Sequence, residues 1–269
     1  MADWHPTPLI NGSIALHGAA LASLTIVPQH WPLAVGAIAA NQAVLIAAGL
    51  WPRSSLLGPN LTRLPSVARS HREVALTIDD GPDPEVTPRV LDLLDAAGAK
   101  ATFFCIGEEV TRHAALAREM VARGHAIENH SQHHLKLFAA LGPWRMRREI
   151  VAAQESIAAA VGRAPRFFRP TAGLRNPFLA PILAKLDLQL ASWTRRPFDT
   201  RCGDVDRVVA RLVRGLAAGD ILLMHEGNAA PTAGGGPVIL EALPRVLSAL
   251  QATRLQSVTL TQALDPKPR

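Results

Sequence analysis

The beginning of the chain contains a long stretch without a charged side chain. Residues 4–52 include no Asp, Glu, Lys or Arg, although 19% of the whole sequence is charged. Two segments within it, 9–27 and 31–51, are almost entirely apolar. Each is long enough to cross a bilayer core of about 30 Å at about 1.5 Å per helical residue. The pattern predicts a transmembrane helical hairpin over 1–52, in contact with membrane lipid through residues 9–51.

The turn between the two segments has residues suited to a membrane interface. Pro28 and Pro32 bracket a tight turn, and Trp31 and Trp51 are placed for opposite interfaces. The first segment contains polar residues such as His17, so an interfacial helix is an alternative to a span for that segment. A cleaved signal peptide is disfavoured because no basic region precedes the apolar run.

Basic residues follow the hairpin but do not precede it. No Lys or Arg occurs before the first segment or in the turn, whereas four arginines follow the second: Arg53, Arg63, Arg69 and Arg72. The positive-inside rule therefore predicts that both ends of the hairpin, and everything after it, lie on the cytoplasmic side of a bacterial-type cell membrane. The proline-containing segment 53–72 is interpreted as a linker.

The remainder of the chain, 73–269, alternates strand-like and helix-like segments in about seven units. Such alternation is typical of a parallel β/α barrel. The strands are predicted over 73–78, 101–106, 125–128, 167–169, 188–193, 221–224 and 256–260. Polar residues follow several of these strands at their carboxyl ends, where barrel enzymes place their sites.

Two adjacent carboxylates, Asp79 and Asp80, stand where the first of these strands ends in a Gly81-Pro82 turn. Two like charges so close raise one another's pKa unless a cation or a hydrogen-bond donor intervenes. A metal ion is therefore a natural partner for one of them. The alternative is a turn with two solvated aspartates.

Histidines supply further candidate ligands in the run from His130 to His134. If this segment were helical, His130 and His134 would lie one turn apart on the same face, close enough to share an ion. His133 competes geometrically, and surface histidines are an alternative in a chain with ten of them. One carboxylate and two imidazoles would leave coordination positions open for water and substrate.

Composition narrows the functional classes. The net charge of +6 is carried mostly by arginine and favours anionic partners such as lipid headgroups or a phosphate-bearing substrate. No basic run is interleaved with aromatics, so no nucleic acid is expected as a partner. Two cysteines are too few for a disulfide framework. The motifs of serine hydrolases, P-loop nucleotidases and dinucleotide-dependent enzymes do not occur in the sequence.

Five short motifs in order resemble those of a known family. They are Thr77-Ile78-Asp79-Asp80-Gly81 (family T-F-D-D-G), His130-Ser131-Gln132-His133-His134 (H-S/T-x-x-H), Arg169-Pro170-Thr171-Ala172-Gly173 (R-P-P-Y-G), Trp193 with Asp199, and Leu223-Met224-His225 (L-x-H). The sequence is identified by this resemblance as a member of the polysaccharide deacetylases of the NodB-homology type (carbohydrate esterase family 4). The resemblance implies a distorted (β/α)7-type barrel over 73–269, behind the hairpin and the linker.

The resemblance also implies roles for individual residues. It assigns the metal to Asp80, His130 and His134, the catalytic base to Asp79 with Arg169 as its orienting partner, and the general acid to His225 with Asp199 as its partner. The implied reaction is metal-dependent hydrolysis of the N-acetyl amide of an amino sugar, with release of acetate. Zn²⁺ is the default ion for this ligand set, and Co²⁺, Ni²⁺ or Mn²⁺ could replace it.

Four more residues are candidates for substrate binding. Trp193 and Leu223 resemble apolar walls for the acetyl methyl group, with ordinary core packing as the alternative. Ala172 replaces the family tyrosine, in a chain without tyrosine, but its backbone N–H can still serve an oxyanion. Arg175 is interpreted as a contact for a phosphate or another anion of a lipid-linked sugar, or else as a surface residue at a helix start.

The substrate and the side of the membrane stay open at this point. The expected partner is an N-acetylated polysaccharide, oligosaccharide or lipid-linked glycan. The alternatives are a non-catalytic, membrane-tethered carbohydrate-binding protein and a related amide hydrolase that releases formyl or another acyl group. A cytoplasmic catalytic domain conflicts with the action of family members on cell-surface polymers, so an external domain is kept as the alternative location.

Overall fold

A computed structural model describes residues 4–265, in which seven strands pair in parallel. The strands are β1 Glu73–Gly81, β2 Ala101–Cys105, β3 Ala126–Asn129, β4 Phe167–Phe168, β5 Gln189–Leu190, β6 Ile221–His225 and β7 Gln256–Ser257. The helices are α1 Pro8–Ile26, α2 Trp31–Leu50, α3 Ser66–Ser70, α4 Thr87–Ala96, α5 Gly107–Arg112, α6 Ala114–Ala122, α7 Pro143–Val161, α8 Leu179–Lys185, α9 Val205–Val213, α10 Val238–Ala252 and α11 Leu260–Leu264.

The sheet curls into an irregularly closed barrel. Its strand order is β5-β4-β3-β2-β1-β6, and β7 pairs with the amino end of β1. The segment after β5 closes the circle, because the Thr194 N–H donates to Ile221 O at 2.9 Å and the Leu223 N–H donates to Arg195 O at 3.0 Å. The expected distorted (β/α)7-type barrel is confirmed.

The central strand β1 separates an outer core from the barrel interior. Its residues Val74, Leu76 and Ile78 pack in the larger apolar cluster, which also includes residues of α4, α9 and α10. The alternating residue Ala75 packs instead with Phe104 and other residues of a second cluster. Since successive side chains of a strand point to opposite faces, Asp79 continues the row of Ala75 and stands at its carboxyl end.

Several strands are shorter than the sequence pattern predicts. β4, β5 and β7 have two residues each, whereas strands were expected over 167–169, 188–193 and 256–260. After β5 the chain changes partners, because the Ser192 N–H donates to Leu61 O and the Thr194 N–H donates to Ile221 O, both at 2.9 Å. Isolated bridges therefore replace a regular ladder where the barrel closes.

The segment expected to be a linker, 53–72, lies against the barrel. Leu57 and Leu64 are almost completely buried. The Leu61 N–H donates to Leu190 O at 2.9 Å, and α3 lies within this segment. Packing of Leu64 and the backbone bond of Leu61 therefore join this segment to the barrel, whereas Leu57 packs with residues of α1 and α2.

The two apolar segments form helices α1 and α2, which pack as a hairpin. The Asn41 side chain of α2 donates to Ser13 Oγ of α1 at 2.8 Å, and Gln42 Nε2 lies 3.2 Å from His17 Nε2. These contacts pair polar groups of the two helices with each other, as in packed membrane helices. By length and composition both helices are candidate membrane spans, with mean hydropathies of 1.4 for the first and 1.9 for the second. A signal sequence near an N-terminus has the same properties.

The foot of α2 is fixed against the barrel by a close backbone contact. The Arg175 N–H donates to Gly49 O at 3.2 Å. A Cβ atom on Gly49 would lie 2.1 Å from Arg175 O, so only glycine permits this approach. The contact holds the hairpin next to the segment that follows Gly173.

Candidate active site

The two neighbouring carboxylates reach the same cavity because β1 ends in a bulge. In a regular strand Asp79 and Asp80 would point to opposite faces. The pairing of β1 with β2 shifts register between Asp79 and Gly81, and Asp80 has a φ of +74°. This turn of the backbone lets both side chains line one cavity of about 500 Å³ at the carboxyl end of the barrel.

Asp80, His130 and His134 form a compact cluster of candidate metal ligands. Asp80 Oδ1 lies 3.2 Å from His130 Nε2 and 3.1 Å from His134 Nε2. All three ligand atoms lie within 4.8 Å of one another. Asp80 Oδ1 is buried and accepts no hydrogen bond from the residues described.

The hydrogen bonds around the cluster favour a bound cation. His130 Nδ1 lies 2.7 Å from Arg169 O, which can only accept, so Nδ1 carries the proton and Nε2 presents a lone pair. A carboxylate oxygen and an imidazole lone pair then face a common point. The donor set therefore fits a divalent ion with two imidazole ligands and one carboxylate.

The segment that contains His130 and His134 is not helical, although the two residues meet as a shared metal site requires. The segment after β3 is a loop in which Ser131 and His134 have φ values of +67° and +48°. The Asn129 side chain accepts the Ser131 N–H at 2.8 Å and stabilises this turn. His133 points away, with Nδ1 3.0 Å from Glu149 Oε1, so it is not part of the candidate ligand cluster.

Arg169 holds Asp79 in place. Its Nη1 donates to Asp79 Oδ1 at 2.6 Å and to Thr77 Oγ1 at 3.0 Å. Its Nε and Nη2 donate to the carbonyls of Ala191 and Ser192 at 3.0 and 2.9 Å. The side chain is completely buried and makes four hydrogen bonds, so this arginine is a rigid partner for the carboxylate.

His225 and Asp199 form a second buried pair in the same cavity. Asp199 Oδ1 lies 2.8 Å from His225 Nδ1, and Asp199 Oδ2 accepts the His225 backbone N–H at 2.8 Å. Burial lowers the pKa of His225, but the hydrogen bond to Asp199 and the negative charges of Asp199, Asp79 and Asp80 together raise it above its ordinary value. In the sheet His225 is the direct neighbour of Asp79.

Three of the four candidate substrate contacts line this cavity, and one does not. Trp193 and Leu223 form its apolar wall, and Ala172 lies at its edge with a φ of +56°. Arg175 lies outside it, where its guanidinium donates to Ser54 O. Arg175 lies two residues after the motif Arg169–Gly173, but this spacing does not fix the direction of its side chain, which turns to Ser54.

The cavity also contains residues that the sequence motifs did not indicate. The Asn228 amide donates to Asp80 Oδ2 at 2.9 Å and so orients the candidate metal ligand. Three cations, Lys136, Arg196 and Arg201, line the cavity. The guanidinium of Arg196 lies 5.1 Å from the Trp193 ring. In the sequence, the one sign that Arg196 lines this cavity is its position three residues after the motif residue Trp193.

Comparison with known proteins gives the same family as the motifs. Residues 66–191 match the family model described as "Polysaccharide deacetylase". A peptidoglycan-N-acetylglucosamine deacetylase of Bacillus cereus is 32% identical over 203 residues, covering 75% of this chain and 92% of that protein. The chain belongs to the polysaccharide deacetylase family. A chitooligosaccharide deacetylase of Bradyrhizobium is 37% identical over 157 residues, covering 58% of this chain and 71% of that protein.

Solved structures of the polysaccharide deacetylase family share the fold. A peptidoglycan N-acetylglucosamine deacetylase in complex with a naphthalenyl benzamide superposes with a TM-score of 0.69 at 27% identity, covering 78% of this chain and 95% of that one. A carbohydrate esterase family 4 pseudoenzyme from Bacillus anthracis has a TM-score of 0.67 at 26% identity, covering 78% and 71%.

Proposed function

We propose that this polysaccharide deacetylase family member is a metal-dependent N-deacetylase that hydrolyses the N-acetyl amide of an amino sugar and releases acetate. One observation carries the proposal: a candidate ligand cluster, a carboxylate held by arginine and an imidazole held by carboxylate share one cavity. Metal, base and acid are the three parts that amide hydrolysis by activated water needs.

Asp80, His130 and His134 would hold the divalent ion, with Asn228 orienting Asp80. When bound, the ion would polarise the amide carbonyl and increase the acidity of water. Zn²⁺ is the expected ion, with Co²⁺, Ni²⁺ or Mn²⁺ as substitutes. The backbone N–H of Ala172 is a candidate donor to the oxygen that becomes negative.

Asp79 serves as the general base in this proposal. Its Oδ1 is engaged by Arg169, which leaves Oδ2, 3.9 Å from His130 Nε2, to take the proton of the attacking water. His225 serves as the general acid. Its Nδ1 is bonded to Asp199, so Nε2 gives the proton to the departing amine, and a raised pKa keeps His225 protonated for this step.

The substrate class follows from the relatives. Those reported above are named for N-acetylglucosamine of peptidoglycan and for chitooligosaccharides, so we propose an N-acetylated glycan. The helices α1 and α2 anchor the enzyme in a membrane, with the barrel on the cytoplasmic side because the flanking arginines follow the hairpin. Paired fusions to reporters active on one side only would test this orientation, and an external signal would contradict it.

Adjacent histidines offer a sharp test of the function. The assay measures acetate release from N-acetylglucosamine pentamer by the full-length protein in detergent, after chelation and after re-addition of Zn²⁺. We expect His134→Ala to lose bound zinc and activity by about a hundredfold or more, and His133→Ala to retain both, since only His134 faces Asp80. Equal losses in both variants, or acetate release that survives chelation, would contradict the proposal.

The non-catalytic alternative has a precedent in the pseudoenzyme of the same fold. Retention of both Asp79 and His225, each with its bonded partner, supports catalysis instead. The same assay with an N-formyl amino sugar separates a deacetylase from a deformylase, because formate rather than acetate would then be the faster product.

A further inference from the structure

An apolar groove lies between the hairpin and the barrel, next to the active-site cavity. It has a volume of about 540 Å³, with α2 as one wall and the segments 136–140 and 174–178 as the other. We call it the hairpin groove. Lys136 lines both the hairpin groove and the active-site cavity. The two spaces therefore share this lysine as a lining residue.

The backbone connects the two spaces as well. Residues 171–173 line the active-site cavity, and residues 174–178, directly after them, line the hairpin groove. The residues after α2 are hydrogen-bonded to the surroundings of Arg169, because Ser192 Oγ donates to Pro52 O at 2.8 Å while Ser192 O accepts from Arg169 at 2.9 Å. The position of α2 is thus tied to the position of the active site.

The hairpin groove exposes large apolar side chains. Leu137 is 76% exposed and Phe178 is 46% exposed on the barrel side, and Ile46 is 60% exposed on α2. A contiguous exposed apolar surface of this kind marks a binding site for an apolar partner. Along α2 the groove extends from Leu50 to Gln42, about 12 Å at about 1.5 Å per residue. An occupant would enter along the part of the helix that lies in the bilayer.

The positive charges near the groove indicate which chemical group would link an apolar chain in the groove to a sugar in the active-site cavity. Lys136, Arg196 and Arg201 give the active-site cavity a positive lining, and Lys136 also lines the hairpin groove. A phosphate is the anion expected between a sugar and a lipid chain, and lysine binds phosphate as a point charge. A water-soluble glycan would need neither the apolar groove nor a cation at its end.

We propose that the substrate is an amino sugar joined through phosphate to a long hydrocarbon chain, with the sugar in the active-site cavity, the phosphate at Lys136 and the chain in the hairpin groove. This inference rests on the proposed N-deacetylase function and specifies its substrate class. The geometry places the scissile amide at the membrane surface, so that the lipid never has to leave the bilayer.

A binding experiment tests the groove without catalysis. The full-length protein in detergent micelles is labelled with a polyprenyl phosphate that carries a photoreactive diazirine on its chain, and the labelled peptides are mapped. We expect label in 136–140 and 174–178, displaced by polyprenyl-phosphate-linked N-acetylglucosamine but not by the same concentration of phosphatidylglycerol. Equal displacement by phosphatidylglycerol would show a general lipid surface and overturn the proposal, as would label confined to the outer faces of α1 and α2.

A kinetic experiment tests the selectivity. Acetate release is compared for polyprenyl-phosphate-linked N-acetylglucosamine and for soluble N-acetylglucosamine pentamer. We expect Leu137→Gln and Phe178→Gln each to lower the ratio of the two kcat/KM values, lipid-linked over soluble, about tenfold, mainly through KM. Both side chains are exposed, so folding should not be affected. An unchanged ratio in both variants would overturn the proposal.

A matched control separates the groove from general surface effects. Trp144→Gln removes another exposed apolar side chain, and Trp144 lines neither the hairpin groove nor the active-site cavity. This variant should leave the ratio unchanged. Wild-type activity on the soluble pentamer alone would support the deacetylase and overturn the lipid-linked substrate. No activity on either substrate in the zinc-loaded protein would contradict the proposed function, and the labelling experiment would then decide on the groove.

Discussion

Two buried carboxylates occupy equivalent places in neighbouring parts of the sheet but have different partners. Asp79 of β1 and Glu128 of β3 both pair in register with Phe104 of β2, which lies between them. The Arg169 guanidinium stacks on the Phe104 ring at 3.9 Å and bonds Asp79. Within residues 4–265, Glu128 accepts hydrogen bonds from backbone N–H groups alone, those of Arg166 at 2.7 Å and Phe167 at 2.8 Å. Because the Arg169 side chain is directed to Asp79, Asp79 has a cationic partner and is a candidate catalytic base, whereas Glu128 has a structural role.

Burial raises the pKa of Glu128, the carboxylate that has no cation in contact among the residues described. It raises the pKa of Glu128 to about 7, against hydrogen bonds from the two N–H groups that lower it. Burial in a low dielectric disfavours the charged form, and peptide dipoles compensate less than a full positive charge would. A carboxylate can thus stay buried in this sheet without arginine, but only at a cost when it ionises.

The largest expected effect is on catalysis at Asp79. Asp79→Asn removes the proposed base while it keeps the shape of the side chain, so kcat for acetate release should fall about a thousandfold or more. Bound zinc, measured by elemental analysis, should be retained because Asp79 is not in the ligand cluster. Glu128→Gln is the matched control and should keep its activity. If Asp79→Asn retained its turnover, Asp79 would not be the catalytic base and would not differ in function from Glu128.

The second effect concerns stability when the cation is removed. Arg169→Met would leave Asp79 buried and without its cation, and breaking a buried pair in this way costs about 3–5 kcal/mol. Urea unfolding of the zinc-loaded protein measures this loss. The double variant Arg169→Met with Asp79→Asn should regain a large part of it and stay inactive. If the double variant is no more stable than Arg169→Met, lost packing rather than an unpaired charge is the cause.

Some of this site could be predicted from the sequence, because ligand chemistry restricts which residue types can recur at fixed spacings. The motifs were sufficient to select Asp79, Asp80, His130 and His134, and these side chains do meet. Their backbone was not predictable. The left-handed φ values of Asp80 and His134 are set by the bulge and the loop rather than by the conformational preference of these residues. For two histidines at i and i+4, a helix is the simplest backbone that brings them together, and the loop observed here is not visible in the spacing.

Residues outside the motifs were harder to assign, because their roles depend on where the fold points them. Arg175 lies two residues after Gly173, yet its side chain turns to Ser54 and away from the cavity. Asn228 has no local pattern that marks it as a partner of Asp80. Glu128 ends a predicted strand like any polar residue, and its resemblance to Asp79 is visible only in the register of three strands.

A third buried carboxylate, Asp199, extends the comparison to a histidine partner. Asp199→Asn removes the strongest of the interactions that raise the pKa of His225, while burial continues to lower it, so this pKa should fall. Because the proposed acid must be protonated, the alkaline limb of the kcat against pH profile should move to lower pH by about one unit, which is about tenfold in rate on that limb. The profile of acetate release measures the shift. An unchanged alkaline limb would show that another group supplies the proton.

The smallest expected effect is on the stability of the Glu128 region, and it has a definite sign. The pKa of Glu128 is raised from an ordinary 4.5 to about 7 in the folded protein. The stability that Glu128 contributes is therefore complete below pH 4.5 and is lost as the pH rises towards 7, after which it stays constant. At about 1.4 kcal/mol per pKa unit, the loss is about 3 kcal/mol at most.

Glu128→Gln cannot ionise, and its amide oxygen can accept both backbone N–H groups that Glu128 Oε2 now accepts. The free energy of unfolding of the variant, relative to wild type, should rise by about 2–3 kcal/mol between pH 5 and pH 8. Any pH-independent change from the added NH₂ group cancels in this difference. A flat difference between the two pH values would mean that Glu128 ionises as easily as an exposed carboxylate. The backbone N–H groups alone would then stabilise a buried charge as well as Arg169 does for Asp79.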